Sequence, residues 1–382
     1  MKVTEEGLPR LRMAFVKQDV YQDLYVVPTS EHTPSAILFS SMGRVGPIGL
    51  MADLGADFYI VEEEFEIETQ IYRKVVPGLS RYFRLLKTET LDKIPGQEFK
   101  RPGSPVPQGE YAVRADSVDW GQYDVVISVN VSLPTGLVRR YPQTLFAYMI
   151  GEANMATHKA RFGYDVTLNQ MARGIVAEGR GEVDFPYTFL RGDTLFRIMH
   201  AALGREPERK GVFMEINSTK ERPVRHVPDH FRPLVDAGQP VRLHRQLIRE
   251  NLTAIYDSKY FVKMGGRPIR GNSVAEAVSL GTLAVMDSRE VTHRELIIPE
   301  CDVRTMDDVL ALVRRCEADP DYYAALVRKQ QAVLDDFFFR CPLQSLANAL
   351  DEKRRHGPVT YGWPQRIGDV LSTLSMKRGW KH

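Results

Sequence analysis

Hydrophobic positions in this chain fall into short, β-branched runs separated by stretches with helical spacing. The alternation persists along most of its length. Arg12-Met-Ala-Phe-Val16 predicts an opening strand, Ala36 to Phe39 a second and Phe58 to Val61 a third, with a helix over Leu50 to Leu54. Gly43-Arg-Val-Gly-Pro-Ile-Gly49 lies between the second strand and the helix, so residues 36 to 61 read as a βαβ unit. Tyr123-Asp-Val-Val-Ile-Ser-Val129 is the clearest strand of the first half, of the kind a buried parallel sheet contains. Leu145 to Ile150 predicts the next strand, ending at Gly151-Glu152, and Gly192 to Leu203 has the apolar spacing of a helix.

Gly204-Arg-Glu-Pro-Glu-Arg-Lys-Gly211 interrupts the pattern with charge, proline and glycine and reads as a linker. Beyond it Val212 to Ile216 starts a new strand, and strands and helices alternate to about residue 300. Helical patterns come next at Met306 to Glu317, Asp321 to Phe337 and Leu343 to Arg354, whereas the prolines and glycines of residues 95 to 109 predict a loop. No internal repeat or low-complexity segment interrupts this. The expected class is α/β, in two units of strand and helix layers joined near residue 208. A length of 382 residues is also more than one typical core accommodates.

Composition changes this picture little. Hydrophobic residues are 43% and charged residues 26% of the chain, and the net charge is +2, so no strong overall field draws it to nucleic acid or membrane. Cys301, Cys316 and Cys341 are too few and too scattered for a metal-ligand pattern or a disulfide framework, which fits a reducing compartment. The N-terminus lacks the apolar core of a signal peptide, and no apolar run approaches the length of a membrane helix. The expectation is a soluble cytoplasmic protein, with peripheral membrane contact left open.

Candidate chemistry concentrates between Lys259 and Asp287. A strand (Tyr260 to Val262) leads into a loop with Gly265, Gly266, Arg267, Arg270 and Gly271, then a helix carrying Glu276, then a strand (Leu283 to Met286). Glycine exposes backbone N–H groups, the helix N-terminus favours anions, and a carboxylate early in the helix can accept from paired sugar hydroxyls. Together they suit a nucleoside diphosphate, with Asn272 or Ser273 as the helix cap. A second set, Asn217-Ser-Thr-Lys-Glu-Arg-Pro223, directly succeeds a strand, where ligands bind in open α/β sheets. Thr219, Lys220 and Arg222 there offer a hydroxyl, a point charge and a bidentate fork for phosphate. His226-Val-Pro-Asp-His230 has two metal-capable rings, but Pro228 breaks any helix presenting both, so no metal site is expected. Arg242, Arg245 and Arg249 sit at helical spacing and read as a solvated face. Gly-x-Ser-x-Gly, Walker A and His-Glu-x-x-His patterns are absent, which disfavours hydrolase, nucleotide-triphosphatase and zincin chemistry.

The order strand, glycine and arginine loop, helix with Glu276-Ala277 and then Gly281, strand resembles the donor half of GT-B glycosyltransferases, including exostosin-like and other Leloir-type, sugar-nucleotide-dependent ones. The resemblance is close over this segment and loose elsewhere. It implies two Rossmann-like domains facing across a cleft: an acceptor domain over residues 1–205, a nucleotide-sugar domain over 206–340 and a helical segment over 341–382 crossing back onto the first. It also implies that Glu276 holds the ribose hydroxyls and that the donor, a UDP-sugar or GDP-sugar, is a co-substrate without a tightly bound cofactor or metal. Retaining relatives carry a Glu-x7-Glu pair; here Pro268 occupies the first position, a departure that weakens the transfer of a retaining mechanism.

An inverting reaction needs a base from the first domain, for which Asp19 and Glu152 are the candidates at predicted strand ends. Gly43, Arg44 and Gly46 would line the cleft toward donor phosphate or acceptor. The same loop, with Glu62-Glu-Glu64 roughly 20 residues on, imperfectly matches a dinucleotide fingerprint, so an NAD-dependent oxidoreductase is one alternative. The expected reaction is sugar transfer to an acceptor hydroxyl in surface polysaccharide or glycan biosynthesis, with a glycan or lipid-linked acceptor. A transferase acting on a base in DNA, as in some phages, is the rival for the acceptor, and a binding protein that keeps the fold without the chemistry is the third alternative.

Overall fold

The opening apolar run forms β1 (Met13–Gln18), and a sheet grows on both sides of it. The computed structural model describes residues 7–18, 24–26, 36–38, 48–61, 82–86, 112–114, 118–129, 133, 135–149, 164–171, 173–186, 188–215, 226–244, 248–265, 268–269 and 271–358. Strands β2 (Leu24–Val26) and β3 (Ala36–Leu38) pair with each other in an antiparallel ribbon. The large sheet takes β1 with β4 (Asp57–Val61), β5 (Tyr82–Leu86), β6 (Ala112–Arg114), β7 (Val125–Val129), β8 (Leu145–Met149), β9 (Val166–Asn169) and β10 (Glu182–Asp184), in the order β10-β9-β8-β7-β1-β4-β5-β6. Every pairing from β10 to β4 is parallel, and β5 and β6 extend that edge antiparallel.

The βαβ unit expected over residues 36 to 61 is in fact β1, helix α1 (Ile48–Ala52) and β4, with Phe15 opposite Phe58. Strand β3 lies in the ribbon. Three residues make few ladder bonds, and an antiparallel neighbour close by in sequence closes a short loop at low entropic cost.

Residues of the large sheet alternate between two cores. Met13, Phe15, Val125, Ile127, Leu145 and Ala147 face one; Ala14, Val16, Val126, Phe146 and Tyr148 face the other. Burial on both faces is why β7 and β8 read as continuous apolar runs. Trp120, Tyr123 and helix α2 (Thr135–Val138) cover the second face, where Leu137 and Val138 are buried.

The smaller sheet consists of β11 (Val212–Glu215), β12 (Val241–Leu243), β13 (Tyr260–Lys263) and β14 (Leu283–Met286) in the order β12-β11-β13-β14, all parallel. Around it the chain forms α3 (Thr194–Leu203), α4 (Arg232–Asp236), α5 (Ile248–Asp257), α6 (Asn272–Ser279), α7 (Met306–Ala318) and α8 (Pro320–Asp335). Leu195, Ile198 and Met199 of α3 are buried in the core of this smaller sheet, so the helix ahead of the charged 204–211 stretch packs with the elements C-terminal to that stretch. Arg242 lies in β12, not on the helical face expected for Arg242, Arg245 and Arg249; it donates to Glu208 Oε2 at 2.6 Å. Its flanking Val241 and Leu243 supply the two-residue period of a strand, which outweighs the arginine spacing.

Helix α7 starts on a reciprocal cap between Thr305 and Asp308, and α8 on Asp319 with Pro320 after it, both standard solutions for orphan N–H groups. From α8 the chain passes through a π-helical turn, Asp336–Arg340, into α9 (Cys341–His356). Phe338 is buried in the core of the smaller sheet and Phe339 in the core that Met13 and Phe15 enter, where its ring lies 4.8 Å from that of Phe189. Leu343, Leu346 and Leu350 then bury α9 against the large sheet. The architecture is thus the GT-B plan: two Rossmann-like sheets, parallel except at the β5–β6 edge, with a C-terminal helix returning to the first.

Two polar ties secure that return. Arg191 Nε and Arg340 Nε both donate to the Asp335 carboxylate, at 3.2 and 2.5 Å, joining the two places where the chain passes between cores. Farther along, the buried Lys353 Nζ donates to Asp165 Oδ2 at 2.8 Å and to the Thr144 carbonyl at 2.6 Å, while Phe146 N donates to the same carboxylate. Burial pushes the Asp165 carboxyl up and the Lys353 ammonium down from their ordinary pKa values. Removing one partner strands the other charge. Lys353→Met is therefore expected to cost about 3–5 kcal/mol in urea unfolding, and adding Asp165→Asn, which leaves no buried charge and keeps an acceptor for Phe146 N, to restore more than half of it.

Candidate functional site

Strand order locates the site before any side chain does. In the smaller sheet β11 has β12 on one side and β13 on the other, so successive connections leave in opposite directions at β11/β13. Ligands of open α/β sheets bind outside the carboxyl ends of the strands at such a switch point. Glu215 and Lys263, register partners, are the last residues of these strands, and both side chains are buried. In the large sheet the corresponding point is β1/β7, at Gln18 and Val129.

From Lys263 the chain turns through Gly265, at φ +72°, toward α6. Lys263 Nζ donates to the Gly265 carbonyl at 2.8 Å and to Glu290 Oε2 at 2.5 Å. Ile269 forms a parallel bridge to Val291: Ile269 N donates to the Glu290 carbonyl at 2.8 Å and Thr292 N to the Ile269 carbonyl at 2.9 Å. Gly271 then enters the helix at φ +121°, and a Cβ there would lie 2.9 Å from Val291 Cγ2 and 3.2 Å from His293 Cδ2. Only glycine satisfies both the dihedral and the space.

Gly271, not Asn272 or Ser273, is the cap of α6, without a side-chain capping bond. The bridge at Ile269 brings the chain to the helix with a positive φ that glycine alone accepts, so Asn272 and Ser273 become the first two helical residues. The opening N–H groups of such a helix have no intrahelical acceptor. Ala275 N is the first with one, the Gly271 carbonyl at 2.9 Å.

Glu276 sits in the second turn. Residues 274 to 279 are all buried, so α6 is enclosed on every side, and Glu276 is its one charged residue, 5% exposed. Ser279 at the far end accepts from Leu195 N at 3.0 Å and donates to the Arg191 carbonyl at 2.9 Å, fixing α6 to α3. A buried carboxylate is costly to keep without polar contacts.

Beside the bridge, the segment after β14 is organised by charge. Asp287 receives hydrogen bonds from Arg289 N, Arg289 Nε and Arg304 Nη1, and Asp302 from Ser288 N and Oγ at 2.9 Å each. Arg289's hydrogen bond is the main cause holding the Asp287 carboxyl at about 2, below its ordinary 3.8.

Of the residues singled out in the sequence, Asn272, Ser273 and Glu276 come together on α6. Asp19, Gly43, Arg44, Gly46, Glu152, Thr219, Lys220, Arg222, Gly266, Arg267 and Arg270 lie outside the described residues. His230 Nε2 lies 3.2 Å from the Met264 carbonyl, and no group of three or more potential metal ligands is found among the described residues. Cys301 and Cys316 are buried free thiols whose pKa burial raises, that of Cys316 to about 11. Among the described residues no helix is long and apolar enough to cross a membrane. Lys263, Glu290 and His293 do not stand out in the sequence. A lysine closing an otherwise apolar strand just before a glycine loop is the signal that marks the first of them.

No known family profile matches the chain, and no curated protein does. Among solved structures it is similar to an α-glucosyltransferase in complex with UDP and a 13-mer DNA containing a central A:G mismatch, at 10% identity over 86% of this chain and 96% of that one, TM-score 0.40. Sucrose-phosphate synthase from Thermosynechococcus elongatus shows 13% identity over 62% of this chain and 73% of its own, TM-score 0.30. The DNA-modifying β-glucosyltransferase, solved with and without uridine diphosphoglucose, shows 11% identity over 63% and 83%, TM-score 0.30. Likenesses this distant assign the chain no substrate.

Two outcomes are expected of the site's framework. Gly271→Ala should destabilise the protein by about 1–3 kcal/mol in chemical unfolding, with faster hydrogen exchange in the first turn of α6. The second concerns Asp287, whose depressed pKa means that its stabilisation is complete above the unfolded value and is lost as pH falls from about 4 to about 2. Asp287→Asn should therefore lose less stability than the wild type between about pH 5 and about pH 3 in urea titrations.

Proposed function

We propose that this chain is a glycosyltransferase that moves a sugar from a nucleoside diphosphate donor to an acceptor hydroxyl. The observation that carries this reading is the enclosed helix α6, which begins at Gly271 beside the β11/β13 switch point and buries Glu276 one turn in. A helix N-terminus next to a switch point suits a diphosphate. A carboxylate one turn deeper suits the paired hydroxyls of the attached ribose.

In this reading the donor lies on the smaller sheet and the acceptor on the larger. The acceptor oxygen bonds to the anomeric carbon as the bond from that carbon to the diphosphate oxygen breaks. The acceptor proton passes to a carboxylate, for which Asp19 and Glu152 are the candidates, and negative charge collects on the leaving diphosphate. Lys220, Arg222, Arg267 and Arg270, with Thr219, Gly266, Asn272 and Ser273, are the groups proposed to receive it. Gly43, Arg44 and Gly46 are proposed to face the same cleft. The donor is a UDP-sugar or a GDP-sugar, and no resident cofactor is invoked. The near-neutral net charge of +2 favours a glycan over a polyanionic acceptor such as DNA, and the role proposed with it is polysaccharide or glycan synthesis in a cytoplasmic setting.

Calorimetric titration with UDP, GDP, CMP, their sugars and NAD(P) tests this. One nucleotide and its sugars should bind, and Glu276→Ala should weaken that binding about tenfold or more while circular dichroism and unfolding stay native-like. Binding of NAD(P) alone, or none, would overturn the proposal; unchanged affinity in a folded Glu276→Ala would remove that residue from the site.

A further inference from the structure

We propose that Arg209 is a positioning residue of the donor site: its guanidinium seats the end of α6 and so places Glu276 against the donor's ribose. The inference rests on the transferase reading above. Arg209 lies at φ +49°, the one non-glycine residue at positive φ among the described residues. An L-residue is strained there, whereas glycine would adopt the same dihedral freely. What arginine adds at this position is therefore its side chain. That side chain is costly in its own right. The guanidinium carbon lies 5.7 Å from the centroid of the Phe196 ring and 5.9 Å from that of Tyr256, and burial lowers its pKa from the ordinary value. A charge partly removed from water needs acceptors to offset its desolvation.

Two of its three acceptors lie where α6 ends. Nη2 donates to the carbonyl of Leu280, the C-cap of α6, at 2.5 Å, and Nη1 to Thr282 Oγ1 at 3.0 Å. The third, the Ser258 carbonyl just ahead of β13, receives Nη1 at 3.4 Å. Leu280 N donates in turn to the Glu276 carbonyl at 2.9 Å, so two hydrogen bonds lead from the guanidinium to the residue that carries the site's carboxylate. Gly281 leaves the space that the fork occupies: it has φ +75°, and a Cβ on it would lie 2.9 Å from Nη2. A planar fork fixes direction as well as distance, and a cation suits the negative end of a helix. Helix α6 has eight residues and is about 12 Å long, too short to bend, so what seats its last turn also places Glu276. A site whose groups are held in place beforehand gains affinity, because binding then orders less. Arg209 need not touch the ligand to have this effect.

The test is calorimetric titration of the full chain with UDP and with GDP. Arg209→Gly, which accepts the dihedral and removes the fork, should weaken the nucleotide that binds by about tenfold or more. Because Arg209 acts through Glu276, combining Arg209→Gly with Glu276→Ala should weaken binding less than about twofold beyond Glu276→Ala alone. A general loss of stability would not produce that coupling. Arg209→Lys keeps a cation over the two rings but cannot reach Leu280 and Thr282 together, and should weaken binding by about threefold or more. If Arg209→Gly does not fold, Arg209→Lys takes its place in the same comparison. Folded Arg209→Gly or Arg209→Lys that binds as tightly as wild type, or a double variant whose loss is the product of the two single losses, overturns this inference alone. Wild-type protein that binds neither nucleotide overturns it together with the transferase reading.

Discussion

Parallel strand pairing is the constraint on which the rest of the structure depends. Parallel neighbours cannot be joined by a tight turn, so each connection must cross over, and the crossing segments cover the faces of the sheet. In the large sheet this sends Met13 and Phe15 into one core and Ala14 and Val16 into the other, with both enclosed. It also forces strand order to reverse somewhere, at β1/β7 in the large sheet and at β11/β13 in the small one. At a reversal the crossovers leave in opposite directions, which is where ligands of open α/β sheets bind. Helix α6, which follows β13, stands at such a reversal as a consequence of topology.

The C-terminal return obeys a different logic. Between Phe338 and Phe339 the chain changes cores within a single residue step, in a π-helical turn where an α-helix would keep its rotation. The extra residue in a π turn alters which side chains face which way without ending the helix, so α8 and α9 serve two cores as one continuous rod. Arg191 and Arg340 converging on Asp335 tie this crossing to the earlier one near residue 191. Farther out the contact carries the buried Lys353–Asp165 pair, in which the desolvation of two charges offsets much of their attraction.

Much of this is legible in the amino-acid sequence, for identifiable reasons. Val125–Val129, Leu145–Met149 and Leu283–Met286 are doubly buried strands, and no polar alternation obscures them. The three last helices carry long, regular patterns. What misleads is locally ambiguous. Ala36–Leu38 has strand residues but too few to declare a partner, and it pairs in a ribbon. Arg242 shares helical spacing with two other arginines, yet its immediate neighbours are strand-like. Capping side chains point to Asn272 or Ser273 as the start of α6, whereas the bridge at Ile269, invisible in one dimension, fixes a dihedral that only Gly271 adopts. In the site itself, Glu276 is legible because it is the one charge in an apolar helix. Lys263 is not, because a strand-terminal lysine ordinarily reaches solvent, and only the fold shows Glu290 waiting for it.

That pairing bears on how a loop rich in glycine can be specific at all. Glycine gives the backbone access to conformations other residues refuse, but it also enlarges the set of conformations the loop can wander through. Gly265 and Gly271 bracket the loop at positive φ, and each is met by a constraint that comes from outside it: the Lys263 ammonium at the first, the Val291 and His293 side chains at the second. The constraints all arise from β13 or from the segment after β14, the neighbouring strand of the same sheet. Gly265, Ile269 and Gly271 are thus held from two paired strands and the segment that follows them. The buried charge at the end of β13 is met by the Gly265 carbonyl and the Glu290 carboxylate, at 2.8 and 2.5 Å.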